Sequence, residues 1–240
     1  MTKKTVCLYL FFSAALLLNL AFWNYSRKVF SEWDNVPPAP SENTAAFSGM
    51  GDREISYRLV GYILQNLGNV GGMYQPLQDY DYDRLGRWFT VSETLNDRSN
   101  YVPYIAAFYF GAMNQKPEKL TPLIDYLADI GVKPGEDKWR WLAQAVYLAR
   151  FVQKDMDKAL KLANILAELP DVAPWARQMP AFVQLAMGNK EASYEIMLNM
   201  LKSEGGKLPV AEVNAMKAYI CERTLEPAEA AKNPLCQNYK

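Results

Sequence analysis

The chain has 240 residues, 50% of them hydrophobic and 22% charged, which is enough to bury a sizeable core in one or two domains and too apolar for a disordered protein. Its 26 Lys plus Arg balance 26 Asp plus Glu, so no long-range field draws it to nucleic acid and no nucleic-acid partner is expected. The sequence has no histidine, which removes Ser-His-Asp triads, Cys-His dyads and His-containing zinc sites; neither a metal nor a cofactor is implied.

An uncharged apolar run fills residues 5–23, broken by Ser13 and Asn19. About 20 such residues cross a bilayer as a helix, so residues 1–28 are expected to form a single transmembrane anchor, with lipid contact along 5–23. A cleaved signal peptide is the rival reading. Asn19, Phe22, Trp23 and Tyr25 leave no small-x-small cleavage site, which favours an uncleaved anchor. Lys3 and Lys4 nearly balance Arg27 and Lys28 across the run. A short N-terminus without acidic residues is the form retained in the cytoplasm, so the C-terminal bulk is expected in a periplasm or an equivalent extracytoplasmic lumen. Trp23, Tyr25 and Trp33 serve as interfacial anchors. The VPPAP run at 36–40 reads as a semi-rigid extended piece of a spacer over 29–50, with the folded part beginning near Gly51.

Over residues 51–224 apolar residues recur at helical spacing, and no segment alternates with a period of two. The body is therefore expected to be all-α. Ile55, Leu59, Tyr62 and Ile63 form one stripe; Leu85, Trp88, Phe89, Ser92 and Leu95 the next; Tyr101, Tyr104, Ile105, Phe108 and Ala112 a third. Thr121 and Pro122 open a further helix that stops at Gly131. Trp139, Leu142, Ala143 and Val146 line one later helix, and Met156, Ala159, Leu160, Ala163 and Leu166 its partner. The pattern resumes through Phe182 and Leu185, then Ile196, Met197 and Met200, then Val210, Val213, Met216 and Ile220. Short connections make sequential helices antiparallel neighbours, giving a stack of helix hairpins with a tail at 225–240.

Residues 143–170 resemble a degenerate tetratricopeptide repeat. A helix is followed by a polar turn at Lys154 and Asp155, and then by Ala159, the small residue at the close packing point. At the period of this repeat class, 34 residues, Gly188 and Asn189 form the matching turn and Ser193 the matching small position. Leu95-Asn96-Asp97 and Leu169-Pro170-Asp171 are similar to the punctuation between such repeats. Tyr147 departs from the pattern, standing where the family has a small residue. The resemblance covers 140–205 well and 80–140 loosely. It implies a TPR-like α-solenoid with an exposed groove, and the role of an adaptor, assembly factor or scaffold for a membrane-associated protein partner.

Aromatic residues crowd the stretch from Tyr74 to Tyr109. Trp88, Phe89, Tyr104 and Phe108 fall on the helical stripes, where packing accounts for them. Tyr74, Tyr80 and Tyr82 lie instead in the long connection, 68–82, opened by Gly68, Gly71 and Gly72. Such a loop either wraps over the first hairpin or carries partner contacts, and these three tyrosines are the partner-binding candidates. The acidic alternation over 79–83 imitates a calcium loop, but Arg84 stands where Gly is needed and Thr90 where a bidentate Glu belongs. Asp81 or Asp83 as a helix cap explains the run. Cys221 and Cys236 either pair in an oxidising compartment, adding about 3 kcal/mol, or remain free thiols in a reducing one. The carboxylate pairs Glu93/Asp97 and Asp125/Asp129 are the basis of an alternative reading, a tethered enzyme acting on envelope polymers; a structural subunit of a membrane complex is the third.

Overall fold

The computed structural model describes residues 3–27, 35–70, 73–112 and 115–237. It is all-helical apart from one two-residue ladder. Helix α1 (Lys3–Ser26) is long and apolar enough to span a membrane, with a mean hydropathy of 2.1 and none of that stretch buried against the rest of the protein. The Arg27 guanidinium lies 4.8 Å from the centroid of the Trp23 ring, a cation and an amphipathic ring together at the end of the apolar run.

The fold begins earlier than Gly51. Residues 28–34 lie outside the described residues, but from Asn35 onward the stretch expected to be a spacer is part of the domain. Val36 is fully buried, and α2 (Glu42–Ser48) is capped by the Ser41 hydroxyl, which accepts from the Thr44 amide. Asp52 caps α3 (Arg53–Gln65) by accepting from the amides of Glu54 and Ile55. The chain then forms a short antiparallel ladder of β1 (Asn69–Val70) and β2 (Met73–Tyr74). Asp81 caps α4 (Tyr82–Leu95), accepting from the Arg84 amide at 3.0 Å. An Asp at this position satisfies an orphan N–H at the helix start, so the acidic run has a structural role.

Helix α5 (Tyr101–Tyr104) continues through a π turn (Ile105–Tyr109) and pairs with α6 (Thr121–Gly131). Helix α7 (Trp139–Tyr147), extended by a second π turn (Leu148–Gln153), pairs with α8 (Met156–Glu168). After the short α9 (Pro174–Arg177), α10 (Met179–Ala186) pairs with α11 (Lys190–Glu204). Helix α12 (Val210–Tyr219) ends in a third π turn (Ile220–Thr224), and α13 (Pro227–Ala230) lies in the region expected to be a tail. Successive hairpins also touch each other: α4 packs on α6, α6 on α7, and α8 on α10. One large core runs from Val36 to Val183, and a smaller one gathers Ala181, Met197, Met216, Ile220 and Cys221. Helix α10 contributes to both.

Helix α3 buries the face opposite to the expected one, and α5 with its π turn buries only Ile105 of its expected stripe. In α3 the buried residues are Ser56, Tyr57, Val60, Gly61 and Leu64, while Ile55, Leu59, Tyr62 and Ile63 face outward. In α5 and its π turn, Val102, Ile105, Ala106 and Ala107 are buried, whereas Tyr104 and Phe108 are exposed. Small residues on the inner faces explain this: they let neighbouring helices approach closely. Gly61 receives the Tyr101 ring, which a Cβ at that position would strike.

Candidate functional site

The hairpins give the domain two ends. At one end the closing contacts link Leu67, Tyr80, Lys119, Thr121 and Gln153. The Tyr80 hydroxyl donates to the Leu67 carbonyl at 2.5 Å. The Lys119 ammonium donates to the carbonyls of Gln78 and Tyr80, and the Gln153 amide donates to the Thr121 hydroxyl. Asn35 is fixed here too, its side-chain amide donating to the Asp79 carbonyl at 2.8 Å, so the chain arriving from α1 enters at this end. The opposite end is closed by Arg53 on the Thr94 carbonyl, Lys138 on the Ser99 carbonyl, Trp141 on the Asn100 side chain, and a Lys133–Glu93 ion pair.

The three tyrosines singled out in the sequence are not equivalent. Tyr80 and Tyr82 are core residues, 0% and 3% exposed, so their rings are withdrawn from any partner; this corrects the expectation that they form contacts. Tyr82 donates to the Phe110 carbonyl at 3.0 Å, and Tyr80 packs against the Phe110 ring. Burial pushes both phenols up, Tyr80 to about 12. Gly68 makes room for this arrangement: its φ is +77°, and a Cβ there would collide with the Tyr80 hydroxyl. Only Tyr74 remains a surface ring, 73% exposed. The loop therefore wraps over the first hairpin and leaves one tyrosine outside.

The largest concentration of exposed apolar side chains beyond α1 lies on α3, α5 and α7. Helix α3 contributes Ile55, Leu59, Tyr62 and Ile63; α5 with its π turn contributes Tyr101, Tyr104 and Phe108; α7 with its π turn contributes Tyr147 and Phe151. These are the first helices of three successive hairpins, so their outward stripes adjoin. Tyr101 covers Gly61 of α3, and Phe108 lies 6.4 Å from the Trp141 ring of α7. Each of the later two helices bears the same device, a Tyr followed four residues on by a Phe. The ring centroids are 4.9 Å apart for Tyr104–Phe108 and 5.0 Å for Tyr147–Phe151. Spacing of i, i+4 puts two side chains over one another on a helix surface.

A groove of about 410 Å³ runs between the two ring pairs, with Phe108 and Tyr147 at its rims and Gly111 and Leu148 among the residues lining it. Arg150 lies over the Phe151 ring at 4.5 Å. Burial draws its pKa down, and the neighbouring Tyr219 opposes that shift. Exposed rings beside a groove of mixed polar and apolar lining, Gln144 included, are the kind of feature found where aromatic side chains and Arg supply binding energy. The repeated Tyr-x-x-x-Phe spacing is visible in the sequence; placing Tyr104 and Phe108 on a buried stripe, and reading Tyr147 only as a departure from the repeat pattern, concealed it.

Two of the four carboxylates of the alternative reading, Glu93 and Asp125, hold neighbouring hairpins together. Glu93 pairs with Lys133, and Asp125 with Lys158 at 2.7 Å. Asp129 is raised above the usual carboxylate range by burial and by Asp125. Glu93 and Asp97 share an open cleft with Arg53 and Lys133, not an apolar pocket. In the acidic run Asp79 pairs with Lys116 and Asp81 with Arg84. Among the described residues no group of three or more candidate metal ligands converges. Cys221 and Cys236 are bonded, their Cα atoms 5.7 Å apart, and Cys7 is an exposed free thiol on α1.

Comparison with protein-family models, with curated proteins and with solved structures yields no match.

Proposed function

We propose that this chain is a single-pass membrane protein whose helical domain serves as an adaptor or assembly scaffold, binding a protein partner through the aromatic face of α3, α5 and α7. The observation that carries the reading is that face: rings from three consecutive hairpins left in solvent, with a groove between Phe108 and Tyr147. A chain that needed them only for stability would bury them, since each ring removed from water contributes about 1.5–3 kcal/mol.

The tetratricopeptide-like arrangement is part of the proposal. Lys154 and Gly188, one repeat period apart, both hold left-handed backbone, with φ +63° and +86°; Ala159 and Ser193, the matching small positions, are both fully buried. The bonded Cys221 and Cys236 favour an oxidising compartment for the domain, hence a cytoplasmic N-terminus and an extracytoplasmic body. Insertion of α1 would confine the domain to the surface on which a membrane-associated partner moves, raising their effective concentration.

The test is site-specific photocrosslinking in intact cells. A benzophenone amino acid replaces Phe108 in the full chain, and in a second chain it replaces Val132, an exposed residue at the opposite end. A protein adduct from position 108 that is absent from position 132 supports the reading. Equal or absent adducts at both positions overturn it.

A further inference from the structure

The path from α1 into the domain fixes which end of the domain is next to the bilayer. Seven residues separate Arg27 from Asn35, a reach of at most about 27 Å even if fully extended. Asn35 is bonded to the Asp79 carbonyl, and the Val36 carbonyl accepts from Arg84 at 3.1 Å. Both contacts lie at the start of α4. From there the chain runs along α4 away from the entry point, since the Pro37 carbonyl accepts from Trp88, one turn further on. The end that carries the β1–β2 loop and the last turns of α3, α5 and α7 is thus the one tethered to α1, within about 27 Å of it.

Beside the acidic cleft of Asp79, Asp81, Asp83 and Glu118, that end carries exposed rings and a lysine of the kind found at bilayer interfaces. Tyr74 projects from β2 with 73% of its surface exposed, and Tyr109, 38% exposed, packs against the Phe110 ring at the same end. Phe151, 50% exposed, is followed by the exposed Lys154 at the hairpin turn. Amphipathic phenol rings settle at the depth of lipid headgroups, and Lys extends its ammonium into the headgroup layer while its methylenes cover apolar surface.

We infer that this end of the domain rests on the lipid headgroup layer, with Tyr74 inserted into it, so that the bilayer is the second surface the domain binds and fixes the tilt of the aromatic face. The inference depends on α1 spanning the membrane, as in the proposed function, and is independent of any protein partner. A seated end would present Tyr104 and Tyr147 parallel to the membrane, within reach of the juxtamembrane part of another membrane protein.

The experiment uses the wild-type full chain, one copy per nanodisc, in discs of phosphatidylcholine with phosphatidylglycerol. Hydroxyl-radical labelling is read by mass spectrometry, with Tyr104 as the internal reference. By its exposure in the fold Tyr74 should label faster than Tyr104, 73% against 59%; a seated end reverses the order and lowers Tyr74 labelling several-fold relative to Tyr104. A fluorophore on Tyr74→Cys in a Cys7→Ser background identifies the covering group as lipid if brominated acyl chains quench it more than one on Val132→Cys. Labelling of Tyr74 faster than Tyr104 in chains that co-elute with the discs overturns the inference and leaves the anchor intact. Chains that do not co-elute with discs overturn the anchor reading and the inference together.

Discussion

The indole N–H of Trp88 donates to the carbonyl of Pro37 at 2.9 Å, tying the middle of α4 to the segment that connects the domain with α1. Trp88 is 5% exposed, and the bond is one of three that hold residues 35–37 in place, with those from Asn35 and Arg84. Trp88→Phe keeps most of the packing but orphans this carbonyl, which costs about 1–2 kcal/mol. Urea unfolding of the variant should show that loss. Limited proteolysis should cut near residues 35–41 several-fold faster than in the wild type. Unchanged cleavage would mean that the connection is held without Trp88.

The aromatic face separates binding from stability. Phe108 and Phe151 are each about half exposed, so replacing both with Ser gives up about half of each ring's burial and should cost about 1 kcal/mol of folding stability each. Central aromatic residues of an interface cost about 2 kcal/mol or more when truncated, which is roughly 30-fold in affinity. The double variant should therefore lose co-purification of the partner that crosslinking from position 108 identifies in the otherwise wild-type chain, while its thermal midpoint moves by only several degrees. A large fall in the midpoint would reassign the rings to the core.

How much of this was legible in the sequence depended on how many stripes each helix carries. For α4, where Leu85, Trp88, Phe89 and Leu95 are the apolar choice, the expected and buried faces coincide. Helix α3 carries two, one of Ile55, Leu59, Tyr62 and Ile63, the other of Ser56, Tyr57, Val60, Gly61 and Leu64. Ranking by hydrophobicity selects the first; close approach of neighbouring helices selects the second. In α5 the π turn adds a further complication, because one extra residue per turn rotates Phe108 away from the face that Ile105 occupies. The spacer expected at 29–50 was misleading for a different reason. VPPAP is extended, as its prolines require, but an extended segment can also lie in a groove, and Val36 does. Tyr80 and Tyr82 went to the core because Gly68 opens a pocket for one and the Phe110 carbonyl accepts from the other, long-range relations that no local pattern encodes.

Alkaline stability follows from the buried phenols. Tyr57, Tyr80, Tyr82 and Tyr126 are all raised above the ordinary value of 10.0, in each case chiefly by burial, Tyr80 to about 12. Their folded-state pKa values exceed those of the unfolded chain, so the folded state holds more protons above pH 10. Stability is then fully present below about pH 10 and declines as pH rises through the folded-state values, across the interval to about 12 for Tyr80. A titration followed by tyrosinate absorbance and by circular dichroism should show the buried rings ionising together with loss of helicity. Ionisation of these four rings with the helical signal intact would contradict their burial.

The last hairpin should be separable from the rest. Its core is the small cluster of Ala181, Met197, Met216, Ile220 and Cys221, and its closing segment is fastened by the bond between Cys221 and Cys236, 15 residues apart. In the chain-entropy account a loop of that size contributes about 3 kcal/mol, a large share of what so small a cluster can supply. Other contacts in this region tie α10 and α9 to α11, the Ser193 hydroxyl donating to the Ala181 carbonyl at 2.8 Å and Arg177 pairing with Glu204, while Lys190 pairs with Glu226 at the surface. Cys221→Ser with Cys236→Ser should therefore raise hydrogen exchange selectively in α12, α13 and the start of α11, by about 100-fold at the amides the bond protects. Amides of α4, α6 and α8, which belong to the large core, should keep their protection. Uniform loss across all helices would show instead that the two cores unfold as one unit through α10.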